Sequence, residues 1–477
     1  MVGGRKLAGM ALAAGLTLAG LTAGPVAADA AGTSCGGTGS VTTDNGTLSD
    51  GATYLIQCPA GAWNGTLFLY SHGYVTPGAS NPAEDASDTA TQGWLLSQGY
   101  ALAGSSYAIT GWAVASALPD QIATLDAFGQ AYGKPTQTIA WGDSLGGMIT
   151  AGLIQDYPGQ FSAALPMCGV LSGGVATWNT ALDAAFAFQQ LIDPKLAVVD
   201  IDDPTTNFEQ AETALAAAQA TPQGQARIAL AAALGDTPGW FTTGAAEPAA
   251  TDYAAQEQAQ FEWDSQVDFP FIFAFRAQLE SVAGGNPSWN TGVNYFQDIA
   301  KSTDLAEVKA LYRTAGLDLN ADLRTLNDAP RISADPSAVA YLAKNIAYNG
   351  DISVPTLTVH TTGDGLVVPE NEQAYRSAVD RAGRGYLLQQ LFVARAGHCA
   401  FTPAEEITSI QVLLNRLATG RWNIPDPTTL NDEAAALGST DNIYPPAFTS
   451  YRPAPYLRPY DLGPLSLFPG VSGRLVP

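Results

Sequence analysis

The sequence predicts an α/β protein built on a mostly parallel sheet and interrupted by one large helical insertion. Three observations carry that expectation. Short apolar runs alternate with helical spacing from Thr66 to Met167, the pattern of βαβ units. The alternation stops from about Ser172 to Gly350, where the chain is Ala-rich and mostly helical in its spacing. It resumes at Pro355 as strand, helix, strand and helix.

The 477 residues include 44 acidic and 21 basic side chains, a formal net charge of −23. Only 14% are charged while 46% are hydrophobic, a globular composition rather than a disordered one. The acidity excludes the usual route to nucleic acid, in which Lys and Arg displace counterions from phosphates. It also argues against anionic membrane surfaces. Three scattered histidines and no CxxC leave no metal site in prospect.

Residues 1–30 read as a signal peptide, so the protein is expected to be secreted and extracellular. Arg5 and Lys6 precede an apolar run from Leu7 to about Ala23, and Ala28-Asp29-Ala30 is a small-x-small cleavage site. No later stretch approaches ~18 uninterrupted apolar residues, so no membrane partner is expected after cleavage. The segment to about Asn64 is rich in Gly, Thr and Ser and reads as short strands or an edge hairpin. Strands follow at Thr66–Tyr70, Tyr100–Gly104, Thr138–Trp141 and Phe161–Met167, with helices over Asp88–Gln98, Leu118–Tyr132 and Leu145–Tyr157. Inside the insertion, Asn207–Ala220, Gln223–Leu234 and Leu305–Ala315 have helical spacing. Beyond it, Pro355–Val359 and Tyr386–Val393 read as strands, Glu370–Ala382 and Pro403–Leu417 as helices.

The strongest chemical signal is Gly142-Asp143-Ser144-Leu145-Gly146, a G-x-S-x-G pattern between an apolar strand and a helix. A serine on so sharp a turn projects its hydroxyl above the sheet, and glycines two residues away on either side relieve the crowding. A second match, Gly32-Thr33-Ser34-Cys35-Gly36, has neither strand nor helix around it and reads as chance. A serine nucleophile needs a base, and the base an orienting acid. His398, on the loop after the last strand, is preferred to His360 because the chain order Ser, acid, His requires it. Asp364, in Thr362-Gly363-Asp364-Gly365 after a strand, is the preferred acid, with Asp351 and Glu370 as fallbacks. Oxyanion donors are expected from the backbone N–H groups of Leu145 and Tyr74, with His72 pinning the Tyr74 loop.

These four loops together resemble the α/β-hydrolase superfamily, and within it large secreted bacterial serine hydrolases, esterase-like or aminopeptidase-like, with helical caps. The resemblance spans about Asn64 to Gly174 and Ser353 to Thr419. It implies an eight-stranded, mostly parallel sheet with a cap between strands six and seven. The domains are then 31–171 with 352–420 as catalytic platform, 172–351 as helical cap, and 421–477 as a Pro-rich arm packed on the surface. The acid loop departs from the family's Asp-x-x-Val-Pro by one extra residue, Asp364-Gly365-Leu366-Val367-Val368-Pro369.

Four cysteines in an exported chain allow two disulfides in three pairings. Cys35 with Cys58 is local, and Cys168 with Cys399 joins two loops expected at the sheet's carboxyl edge. The expected activity is hydrolysis of a small-molecule ester, with a peptide as the alternative substrate and no cofactor. A non-catalytic binding scaffold is the competing class. Cap aromatics between Trp240 and Phe275 are weighted toward core over acyl pocket.

Overall fold

A computed structural model describes residues 34–460. The expected signal peptide and the arm beyond 460 lie outside the described residues. A mixed sheet of nine strands runs through the platform. Its strands are β1 (Thr42–Thr47), β2 (Thr53–Cys58), β3 (Thr66–Ser71), β4 (Ala101–Ser105), β5 (Gln137–Asp143), β6 (Ala163–Met167), β7 (Thr356–Gly363), β8 (Leu388–Ala396) and β9 (Phe448–Thr449). They lie in the order β1-β2-β4-β3-β5-β6-β7-β8-β9. The neighbours from β4 to β8 are parallel, and the first two pairings and the last are antiparallel.

The central strands are apolar on both faces because helices cover both. Every residue of β3 and of β6 is buried. On one face pack α2 (Val114–Tyr132) and α3 (Leu145–Asp156), following α1 (Thr89–Ser97) in the chain. The insertion between β6 and β7 holds nine described α-helices, from α4 (Gly174–Leu191) to α12 (Pro336–Asn345), around a core of their own. It contains no strand among its described residues. After β7 come α13 (Glu370–Arg381), α14 (Pro403–Thr419) and α15 (Pro427–Ala435). This mixed sheet with helices on both faces is the α/β-hydrolase fold.

One expectation is corrected. The sheet has nine described strands rather than eight, because Phe448 and Thr449 pair with Val393 and Phe392 at its edge. The segment expected as a Pro-rich arm holds a helix among its described residues. Asp426 caps α15 with Pro427 in its first turn, and Leu430 and Ala434 bury in the platform core. A Pro-rich segment with one short helix and a two-residue strand offers too little periodicity to be read. No helix among the described residues is long and apolar enough to cross a membrane.

Candidate active site

Strand β5 delivers Ser144 to the sheet's carboxyl edge. Its backbone is left-handed, φ 57° and ψ −125°, before α3 begins at Leu145. A non-glycine residue holds that conformation only under constraint from its surroundings. The constraint is visible: a Cβ on Gly142 would lie 2.3 Å from the Ser71 carbonyl oxygen, and one on Gly146 would lie 1.8 Å from it. The Ser144 N–H donates to the Met167 carbonyl at 3.0 Å, tying the turn to β6.

Asp364 follows β7 and is fully buried. Its Oδ1 accepts from the N–H groups of Leu366 and Val367, at 3.1 and 3.0 Å. His398 follows β8 on a loop locked to the acid loop, where the Gly397 N–H donates to the Gly363 carbonyl at 3.0 Å and the Thr361 hydroxyl to the Gly397 carbonyl at 2.8 Å. The structure brings the three side chains together. Ser144 Oγ is 2.7 Å from His398 Nε2, and His398 Nδ1 is 2.8 Å from Asp364 Oδ2. These contacts put the ring's proton on Nδ1, donating to the carboxylate, and leave Nε2 to accept from the serine.

The electrostatics favour an ionised acid. Burial pushes the Asp364 carboxyl up, but the imidazoles of His398 and His360 bring it net below the ordinary carboxylate value. His360 lies beneath it, fully buried. Burial lowers the His360 ring's proton affinity, yet Asp364 and Glu372 together raise its pKa to about 10.

The expected oxyanion donors flank the serine. Leu145 opens α3, so its N–H has no acceptor within the helix. The loop carrying Tyr74 crosses close by, since a Cβ on Gly73 would lie 3.3 Å from Ser144 Cβ. His72 meets the Gly73 and Ser106 carbonyls through its two nitrogens, at 2.8 and 3.1 Å, and stacks on Tyr107 with ring centroids 4.0 Å apart. The fallback acids stand elsewhere: Asp351 pairs with Arg384 at the surface, 2.7 Å away, and Glu370 opens α13.

Disulfides join Cys35 to Cys58 and Cys168 to Cys399. The second clamps the residue after His398 to the end of β6, where the helical insertion begins. Cys168 and Cys399 both have left-handed backbones, φ 40° and 51°. No cluster of His, Cys, Asp or Glu among the described residues is arranged to hold a metal.

A cavity opens over Ser144 between the sheet's carboxyl edge and the helical insertion, with Tyr74, Leu145, Trp112, Trp178 and Phe271 in its wall. It leaves about 120 Å³ in which a water centre fits. The aromatics of the insertion divide between two surroundings. Phe269 and Phe273 are core, while Phe271 faces the cavity and packs on Tyr74 with centroids 5.0 Å apart. Sequence reasoning passed over Asp264 and Asp268, which also line it. The available signal was two acids four residues apart in an otherwise aromatic stretch.

A family model described as a tannase-like family of unknown function (DUF6351) matches residues 44–295. An o-phthalyl amidase from Xanthobacter agilis is 29% identical over 428 residues, covering 83% of this chain and 91% of its own. Among solved structures, the rice cell wall degrading esterase LipA from Xanthomonas oryzae aligns at 14% identity and a TM-score of 0.36, covering 80% of this chain and 88% of its own. Feruloyl esterase B from Aspergillus oryzae aligns at 13% identity and a TM-score of 0.37, covering 80% of each chain.

Proposed function

We propose, for a chain that belongs to the tannase-like family of unknown function, that it is a secreted serine hydrolase cleaving carboxylic esters. The observation that carries this reading is the unbroken run of short contacts from Ser144 Oγ through the His398 ring to Asp364, at 2.7 and 2.8 Å. His398 Nε2 takes the hydroxyl proton as Ser144 Oγ attacks the ester carbonyl. Asp364 holds the ring and stabilises its charged form. The N–H groups of Leu145 and Tyr74 receive the developing oxyanion. The imidazolium then gives its proton to the departing alcohol oxygen, leaving an acyl-Ser144. Water, deprotonated by the same ring, attacks that acyl group and releases the acid. Secretion fits the two disulfides, which persist in oxidising compartments.

A second reading, amide hydrolysis, is favoured by the amidase at 29% identity. The same chemistry cleaves an amide when the imidazolium protonates the leaving nitrogen; aminopeptidase-type cleavage of a peptide is one form of it.

A fluorophosphonate probe should label the protein and leave Ser144→Ala unlabelled, with kcat on p-nitrophenyl acetate reduced by at least ~10⁴-fold in the variant. Labelling of neither protein favours a non-catalytic scaffold. A panel of p-nitrophenyl esters and matched p-nitroanilides then separates the two readings, and turnover of the anilides alone overturns the ester assignment.

A further inference from the structure

The proposed chemistry leaves two carboxyl groups in the cavity unused. Asp264 and Asp268 line the same space as Ser144. They begin and end the π-helical segment Asp264–Asp268, whose wider turn carries residues four apart on one side. They are only 6% and 7% exposed. Neither carboxyl has a hydrogen-bond donor or a cation as partner among the described residues. No Lys or Arg among the described residues lines the cavity.

A buried carboxylate without a counter-charge is costly, so an empty site keeps such groups protonated. Burial pushes both carboxyls well above the ordinary range, and Asp264 and Asp364 push Asp268 further. The ligand that relieves this arrangement can be argued by elimination. An apolar group would leave both carboxyls desolvated and unpartnered. A carboxylate would enter an acidic wall with no cation, in a chain of net charge −23. A hydroxyl satisfies hydrogen bonds but brings no charge. An ammonium supplies three donors and the missing positive charge together.

We propose that Asp264 and Asp268 form a subsite for a primary ammonium group of the substrate, beside the nucleophile. This rests on the reading of Ser144 as that nucleophile. On binding, the carboxyls release their protons to solvent and the ammonium keeps its own.

The test uses competitive inhibition of p-nitrophenyl acetate hydrolysis by three small probes of one shape: benzylammonium, benzyl alcohol and benzoate. Benzylammonium should compete at least ~10-fold better than the other two. Asp264→Asn and Asp268→Asn, each isosteric, should each shrink that margin, and the double variant should erase it. Melting temperature checks that each variant is folded. Equal or better competition by benzyl alcohol or benzoate overturns the proposal, as does a margin that survives the double variant. If the protein neither hydrolyses the ester nor takes the serine probe, the hydrolase reading has failed. Calorimetric titration of the same three molecules then decides the subsite on its own, by the same margin.

Discussion

Both ring nitrogens of His360 face acceptors: Nδ1 lies 3.1 Å from Glu372 Oε1, and Nε2 lies 2.7 Å from the Val367 carbonyl oxygen. A neutral imidazole has one N–H and satisfies only one of them. The contacts therefore call for the charged ring, in line with its raised pKa of about 10. Nε2 also lies 3.6 Å from Asp364 Oδ2. A fixed positive charge thus stands behind the carboxylate that orients His398. Removing it, as in His360→Gln, raises the proton affinity of the Asp364–His398 pair. The acid limb of kcat/KM should then move to higher pH by about one unit. Activity at the plateau should fall less than activity at pH 6. An acid limb that stays in place would mean that His398 and the backbone donors at Leu366 and Val367 suffice to hold Asp364. The sequence placed Ser144 through its glycines, but it treated His360 as the less favoured base, because its two acceptors come from a loop and a helix that only folding brings to it.

Element packing explains which parts of the molecule could be read ahead. Parallel strands covered on both faces become apolar runs, so β3, β5, β6 and β7 were legible, and α10 (Leu305–Ala315) coincides with its expected range. The π-helical turns at Asp264–Asp268 and Phe271–Phe275 were not, since wider turns carry no distinctive residue pattern. Nor was the tie between β8 and α14. Arg395, near the end of β8, is 3% exposed and forms a double contact with Glu405, at 2.5 and 3.0 Å. The same guanidinium donates to the Ala400 and Pro445 carbonyls at 2.8 and 2.9 Å, so it holds the His398 loop and the C-terminal segment together. Glu405 also serves the capping box of α14. Arg395→Met should lower the unfolding free energy by about 3–5 kcal/mol, because it strands a buried carboxylate. Adding Glu405→Gln should recover part of that loss, and urea unfolding of the three proteins measures both. Equal stability of Arg395→Met and wild type would show that the pair contributes nothing net.

For the whole molecule, the decisive feature is how many carboxyls are buried in a chain already carrying −23. Burial, with Asp304 nearby, raises Glu307 to about 8, and burial raises Glu257 to about 7. Both start from an ordinary value of 4.5 in the unfolded chain. The sign follows from that order. Below about pH 4.5 both states hold the proton and nothing is lost. Between 4.5 and 8 the unfolded chain ionises while the folded one does not, so the stability these groups contribute declines as pH rises through that window. Melting temperature should therefore fall from pH 5 toward pH 8. Glu307→Gln, which keeps a polar partner for Gln260, should raise it by roughly 2–4 °C at pH 8 and leave it nearly unchanged at pH 5. Surface repulsion among acidic groups would produce a decline of the same direction, but salt separates the two causes. Exposed charges are screened beyond a Debye length of about 8 Å at physiological ionic strength, whereas desolvation of a buried carboxyl is not. A slope that survives 0.5 M NaCl (roughly 4 Å of screening length) and flattens in Glu307→Gln belongs to the buried groups. A slope abolished by salt and untouched by the substitution belongs to the surface, and would refute the assignment to Glu307.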